Sequence, residues 1–139
     1  MRVLGLDVGE RRVGLAVSDP MGWNAHSYAV MKRSSEEKEL AYLKEVCREM
    51  EITQLVSGLP KNMDGSLGPK AQEVEAYATR MAELLGLPLA FMDERLTTVS
   101  AHKVLLEADL SRRKRKEVVD KVAAAYILQT WLDRNRQSK

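Results

Sequence analysis

The chain has 139 residues, of which 45% are hydrophobic and 30% charged, and its formal net charge at pH 7 is +2. This composition is ordinary for a soluble globular domain, and no stretch approaches the ~20 consecutive apolar residues of a transmembrane helix. A single cysteine excludes an internal disulfide, and one cysteine with two distant histidines disfavours a zinc site. We therefore expect a cytoplasmic protein with one domain over residues 1–139.

The first third of the chain predicts three antiparallel strands. Residues 2–8 and 12–18 alternate as strands do, and the turn 9–11 joins them into a hairpin. Residues 25–31 predict a third strand. The first strand is apolar except for Asp7.

Helices and two more strands follow. Ser34 and Glu37 form a capping-box pair that predicts a helix start at residue 35. The periodicity and the turn residues predict helices at 35–50, 70–85, 98–108 and 114–134, strands at 54–59 and 89–92, and a loop at 61–69. The order βββαβαβαα predicts a mixed sheet in which helical crossovers lead to the last two strands, which are parallel to the first.

Asp7 is the most informative residue, because a carboxylate in a buried apolar strand must have a partner. Alternation along the strand places it on the same face as Gly5. Either a basic side chain pairs with Asp7 or a metal ion binds it. Arg11, Arg12 and Arg95 are the basic candidates, and spacing alone leaves both interpretations open.

Two further carboxylates could reach the same place as Asp7. Glu94 follows the last predicted strand, and in open α/β sheets functional sites form beyond the carboxyl ends of the parallel strands. Asp120 falls at the edge of the apolar stripe of the last helix, from which a side chain can reach the rim of the sheet. Carboxylates that converge favour hard divalent cations such as Mg²⁺ or Mn²⁺.

Each of these acids also has an ordinary structural interpretation. Glu94 could pair with Arg95 or cap the following helix, and Asp120 could be a solvated helix residue. Asp93 competes with Glu94 at the same strand end, and alternation does not choose between them because both faces of the sheet are covered. Asp64 lies in a loop dense in turn residues, where turn formation is its simplest role.

Positive charge is concentrated near the end of the sequence. Residues 110–139 carry nine Lys or Arg and three acids, a net charge of +6, whereas the other residues carry a net charge of −4. The densest part is a run of five basic residues: Arg112, Arg113, Lys114, Arg115 and Lys116. This segregation suits an anionic partner that approaches one side of the protein, although the run could also be the solvated start of a helix.

Four blocks of the sequence together resemble the bacterial YqgF family, also called RuvX, which has an RNase H-like fold similar to that of RuvC. The blocks are GLDVGERRVGLAVSD (5–19), GLPKNMDGSLGPKA (58–71), DERLTT (93–98) and RRKRKEVVDKVAAAYIL (112–128). Members of this family are described as nucleases of pre-16S rRNA and, in older usage, as Holliday junction resolvases. The resemblance implies an α/β fold with a mixed five-stranded sheet flanked by helices.

The resemblance also implies roles for particular residues. Asp7, Glu94 and Asp120 match the acidic catalytic site of the family, in which Asp7 would bridge two Mg²⁺ or Mn²⁺ ions and the other two acids would hold one each. Asp93 and Asp64 are the candidates for a fourth carboxylate. The side chains that would contact the nucleic-acid backbone are Arg11, Arg12, Lys61, Arg95, Arg112, Arg113, Lys114, Arg115 and Lys116.

Three functions compete at this point. The first is a metal-dependent endonuclease that processes the 5′ end of pre-16S rRNA, with structured RNA or a pre-ribosomal particle as partner. The second is a resolvase of branched DNA, which requires two active sites in a homodimer. The third is an RNA-binding ribosome assembly factor without catalysis. The sequence shows no coiled-coil stripe, and both a monomer and a homodimer stay open.

Overall fold

The computed structural model describes the backbone of residues 2–96 and 112–137 and the side chains of residues 2–96 and 122–135. The predicted helix at 98–108 lies outside the described residues. Within them, no helix is long and apolar enough to cross a membrane. The elements in chain order are β1 (Arg2–Val8), β2 (Arg12–Ser18), β3 (Ala25–Lys32), α1 (Glu36–Glu49), β4 (Ile52–Leu59), α2 (Pro69–Leu85), β5 (Leu89–Asp93), a 3₁₀ turn (Glu94–Leu96) and α3 (Arg112–Gln137).

The five strands form one mixed sheet in the order β3-β2-β1-β4-β5. β1 pairs antiparallel with β2, and β2 pairs antiparallel with β3. β4 and β5 are parallel to β1, so that β1, β4 and β5 end at the same edge of the sheet. The predicted mixed sheet is confirmed, and the carboxyl ends of its three parallel strands define the edge at which a site is expected.

Helices cover both faces of the sheet. Leu4 and Leu6 of β1 belong to a core cluster that includes residues of α1 and α2. On the other face, Val56 and Met92 pack with the apolar residues of α3. The buried residues of α3 on this face are Ala123, Ala124, Ile127, Leu128 and Leu132. Alternation along each strand therefore decides whether a side chain faces the α1–α2 layer or α3.

The helix ends largely follow local sequence signals. α2 begins at Pro69 and ends at Leu85, and its C-cap is Gly86, whose φ of 69° is the left-handed conformation that favours glycine. The capping box predicted for α1 is wrong by one residue. The N-cap is Ser35, whose Oγ accepts a hydrogen bond from the Lys38 backbone at 3.2 Å. The backbone N–H of Ser34 instead donates to the Glu39 carboxylate at 2.6 Å, which removes Ser34 from the capping position.

Candidate active site

Asp7 lies near the carboxyl end of β1 with only 6% of its surface exposed. Gly5, two residues earlier, faces α3, because a Cβ on Gly5 would lie 2.8 Å from the Cβ of Leu128. Asp7 shares this face by alternation, as the sequence predicted. Its carboxylate is therefore on the α3 side of the sheet, away from the cluster that α1 and α2 form with Leu4 and Leu6.

Glu94 reaches the same face from the end of β5. Its Oε2 atom lies 3.1 Å from the position that a Cβ on Gly58 would occupy, and the Cδ1 atom of Ile127 lies 2.6 Å from that position. Gly58 thus has no room for a side chain, and the Glu94 carboxylate and an α3 side chain occupy the space above it. A glycine at this position in β4 lets the carboxylate lie close to the sheet.

The strand register brings Asp7 and Glu94 to one place. Leu6 of β1 pairs with Ser57 of β4, and continuing this parallel register by one residue puts Gly58 beside Asp7. Neighbouring strands are about 4.8 Å apart. Because the Glu94 carboxylate lies over Gly58, it is one strand away from Asp7 and on the same face of the sheet.

Asp120 belongs to α3, and its side chain lies outside the described residues. Its backbone lies one helical turn before Ala124, whose carbonyl oxygen is 3.2 Å from the Cβ position of Gly5. Gln129, further along α3, accepts a hydrogen bond at 2.8 Å from the backbone N–H of Ala25, the first residue of β3. Asp120 precedes Ala124 by one helical turn, a rise of about 6 Å, and its place beside Asp7 stays a prediction.

The structure gives the two competing acids other partners. Arg95 donates to Asp93 through Nη2 at 2.7 Å and through Nε at 3.0 Å, and this pairing lowers the pKa of the Asp93 carboxyl. Asp64 accepts hydrogen bonds from the backbone and the hydroxyl of Ser66 at 2.9 and 2.6 Å, which lower its pKa. Asp64 therefore forms the turn that its loop sequence indicated. In the described structure both acids hold their own loop or strand end in place.

The donor set at Gly58 fits a hard divalent cation. The Glu94 carboxylate fills the space above Gly58, the almost fully buried Asp7 lies one strand away on the same face, and carboxylate oxygens are the ligands that Mg²⁺ and Mn²⁺ prefer. Among the described side chains, no three His, Cys, Asp or Glu residues form a group that could hold a metal ion. Asp120, the third predicted ligand, is not among those side chains.

The predicted nucleic-acid contacts lie on elements that reach the same edge of the sheet. Arg11 is in the turn that follows β1, and Arg12 begins β2. Lys61 follows the end of β4, and Arg95 follows the end of β5. The run Arg112 to Lys116 forms the first five residues of α3, and its side chains lie outside the described residues.

A buried polar cluster behind this edge was not identified from the sequence. Glu39 is 2% exposed and accepts hydrogen bonds from Arg33 Nε at 3.2 Å and from the Tyr77 hydroxyl at 2.8 Å. Arg33 also donates to the Gly9 carbonyl at 2.8 Å, in the turn directly after β1. A signal was present, because Glu39 stands on the same helical stripe as Leu43, where a buried acid requires partners.

Comparisons with known proteins agree with this geometry. The family described as "RuvX: Holliday junction resolvase" matches residues 1–134. The chain is 54% identical over 138 residues to a protein of Moorella thermoacetica named "Putative pre-16S rRNA nuclease", covering 99% of each chain. It is 52% identical over 133 residues to a Syntrophomonas wolfei protein of the same name, covering 96% of this chain and 94% of that one.

The fold also matches that of a solved resolvase. The structure of Thermus thermophilus RuvC in complex with a Holliday junction substrate superposes with a TM-score of 0.59, covering 99% of this chain and 97% of the other. Sequence identity in this pair is 17%, so the likeness concerns the fold. It confirms the predicted RuvC-like, RNase H-like arrangement of a mixed sheet flanked by helices.

Proposed function

Because the chain belongs to the RuvX family of nucleases, we propose that it is a metal-dependent endonuclease that processes the 5′ end of pre-16S rRNA. The observation that supports this proposal is that the Glu94 carboxylate lies over Gly58, one strand away from Asp7 and on the same face of the sheet. The RNA substrate is supported by the names of the relatives at about 50% identity. The protein would act in the cytoplasm, on structured RNA or on a pre-ribosomal particle.

In this proposal Asp7, Glu94 and Asp120 are both the metal ligands and the catalytic residues. Two bound Mg²⁺ or Mn²⁺ ions would supply an activated water and stabilise the leaving oxygen of the phosphodiester. Asp7, which is fixed in β1 and only 6% exposed, would hold the ions at this face of the sheet. Glu94 would hold them from the neighbouring end of β5, and Asp120 would join from α3. The residues thus come from three separate elements, which holds their spacing rigid.

Basic residues would hold the nucleic-acid backbone across this edge. Arg11 and Arg12 follow the end of β1, and the run 112–116 begins α3 beside Asp120. Neutralising phosphates gives affinity without reading the sequence and makes binding weaker as salt rises. Replacing Arg113 and Arg115 with Ser should reduce the slope of log affinity against log salt by roughly 1 to 2.

Cleavage of a 5′-extended 16S rRNA fragment in the presence of Mn²⁺ tests the proposal. Asp7→Asn and Glu94→Gln should each reduce the rate by about 100-fold or more, because each removes a charged ligand at the reacting centre. Glu45→Gln is the matched control, since Glu45 is exposed on α1 and pairs with Arg48. Asp7→Asn should also abolish Mn²⁺ binding in calorimetry. Unchanged cleavage by Asp7→Asn contradicts the proposed chemistry.

A resolvase of branched DNA is the second candidate, favoured by the family description and by the RuvC fold. Paired cleavage of a four-way DNA junction by a dimer, with the RNA left intact, would replace the RNA proposal by this one. A protein that binds the RNA but neither Mn²⁺ nor any cleavable substrate would instead be a non-catalytic assembly factor.

A further inference from the structure

The segment 61–68 between β4 and α2, here called the 61–68 loop, is a closed turn beside Glu94. The backbone N–H of Asn62 donates to the Ser66 carbonyl at 2.9 Å, and the N–H of Gly65 donates to the Asn62 carbonyl at 2.9 Å. The Asn62 side chain also donates to the Ser66 hydroxyl at 2.9 Å. With the Asp64 turn described above, the loop has an internally fixed shape.

Arg95 attaches this loop to the end of β5. Its Nη1 atom donates to the Met63 carbonyl at 3.1 Å, while Nε and Nη2 bind Asp93. Gly65 has a φ of 90°, and a Cβ on it would lie 3.5 Å from Arg95 Nη1. The guanidinium therefore lies flat against the turn. The residue next to Glu94 sets the position of the loop.

The charges around Arg95 are already compensated. Asp93 binds the guanidinium directly, and the positive charge of Arg95 also contributes to the lowered pKa of Asp64. Lys61 similarly favours the charged form of Asp93 and so contributes to its lowered pKa. Two cations and two carboxylates balance here, which leaves little net charge for binding a phosphate. The experiment below decides the predicted contact of Arg95 with phosphate, and the contact of Lys61 stays a prediction.

The exposed group that the loop presents is apolar. Met63 is 90% exposed, the highest value among the large hydrophobic residues whose exposure is described. Arg95, the residue directly after Glu94, donates a hydrogen bond to the Met63 carbonyl. This bond fixes the backbone of Met63 near the end of β5. A methionine side chain is flexible and polarisable, and proteins that bind nucleic acids use such apolar side chains against bases.

We propose that Met63 contacts a nucleobase next to the scissile phosphate and that Arg95 is a positioning residue that holds Met63 there. This inference rests on the proposed nuclease function and adds a specificity contact to it. Arg95 acts through the loop, and its own guanidinium stays on Asp93. The 61–68 loop then selects substrates in which a base beside the cleavage position is unpaired or easily unstacked.

The test measures binding and cleavage of the 5′-extended RNA by Met63→Ala, Met63→Leu, Arg95→Ala and the double alanine variant. Met63→Ala should weaken kcat/KM and RNA affinity by about tenfold, in line with burial of a methionine side chain, and Met63→Leu should restore both. Met21→Ala is the matched control, because Met21 is 77% exposed on the loop between β2 and β3 at the opposite edge of the sheet.

Two measurements test the role of Arg95: whether its effect adds to that of Met63, and how RNA binding by Arg95→Ala depends on salt. Arg95→Ala should have an effect similar to that of Met63→Ala, and the double variant should be no worse than Arg95→Ala, because both changes remove the same contact. The salt dependence of binding should keep its slope in Arg95→Ala. A slope reduced by about 1 would make Arg95 a phosphate ligand and would overturn its positioning role. Urea unfolding checks that each variant is folded.

The outcomes separate this inference from the proposed function. If the wild type cleaves the RNA and Met63→Ala matches it in both binding and cleavage, only the loop contact is overturned. If the wild type binds RNA without cleaving it, the RNA affinities of Met63→Ala and the wild type still decide the contact: weaker binding by the variant supports it, and equal binding overturns it. If the wild type neither binds nor cleaves this RNA, the proposed substrate and the base contact are overturned together.

Discussion

Gly58→Ala is the change that most directly tests the geometry of the acidic site. The added Cβ would lie 2.6 Å from Ile127 Cδ1 and 3.1 Å from Glu94 Oε2. Carbon atoms do not pack at the first distance, so the Ile127 side chain must shift, and at the second distance the Glu94 carboxylate must move by a few tenths of an ångström. Overpacking of this kind costs about 1–3 kcal/mol of stability. Mutating a residue that positions a metal ligand lowers metal affinity by about 10–100-fold. Gly58→Ala should therefore weaken Mn²⁺ binding by a factor in this range if Glu94 is a ligand.

A second variant isolates the effect on Glu94. Ile127→Val removes the Cδ1 atom, so Gly58→Ala combined with Ile127→Val should recover most of the lost stability while the contact with Glu94 remains. Gly5→Ala is the control for displacement of α3, because its Cβ would meet Leu128 at 2.8 Å and does not approach Glu94. Comparing these variants separates a shifted helix from a shifted carboxylate.

Urea unfolding and Mn²⁺ calorimetry provide the two readouts. Gly5→Ala should lose more stability than Gly58→Ala, because its Cβ would meet the Cβ of Leu128 and the backbone oxygen of Ala124 rather than side-chain ends, but Gly58→Ala should lose much more Mn²⁺ affinity. The double variant should be nearly as stable as the wild type and should still bind Mn²⁺ about tenfold more weakly. Wild-type Mn²⁺ affinity in the double variant would refute the assignment of Glu94 as a ligand held over Gly58.

Two further predictions concern buried groups away from the metal ligands. Glu39→Ala should lower the free energy of unfolding by about 2 kcal/mol, because it leaves the half-buried donors of Arg33 and Tyr77 without their acceptor. Urea unfolding measures this against Glu45→Ala, which breaks an exposed ion pair and should cost less than about 1 kcal/mol; equal losses would contradict the reasoning. Burial raises the pKa of the Cys47 thiol to about 11, so at pH 8 the native protein should react with a disulfide reagent roughly 100-fold more slowly than the unfolded chain. Equal rates would show an accessible thiolate.

Local pattern was sufficient to predict which way Asp7 faces. Side chains alternate strictly along a strand, so once 2–8 was recognised as β1, Asp7 and Gly5 had to share a face. The helix bounds were also predictable within a few residues, because Pro69 and Gly86 mark the ends of α2 through backbone chemistry that needs no tertiary partner. The order of strands and helices followed from these elements.

The choice between Asp93 and Glu94 could not be made from local pattern. It depends on Gly58, which is 36 residues earlier in the chain and leaves the space that Glu94 fills. It also depends on Arg95, which binds Asp93 and donates to the Met63 carbonyl of the 61–68 loop. The contacts of Glu94 with Gly58 and of Arg95 with Met63 join residues far apart in the chain, and no periodicity in the sequence encodes them. The same holds for Glu39, whose carboxylate accepts hydrogen bonds from Arg33 and Ser34 between β3 and α1 and from Tyr77 of α2.

The fold places the acidic helices and the basic helix on opposite faces of the sheet. α1 and α2 together carry eight acids and five basic residues, whereas α3 carries eight basic residues and three acids. These helices pack on opposite faces of the sheet, so their charges are roughly 20 Å apart. The Debye length at physiological salt is about 8 Å, which prevents the two layers from cancelling each other. We therefore expect a polyanion to approach from the α3 side, the face on which Asp7 and Glu94 lie, rather than from the α1–α2 side.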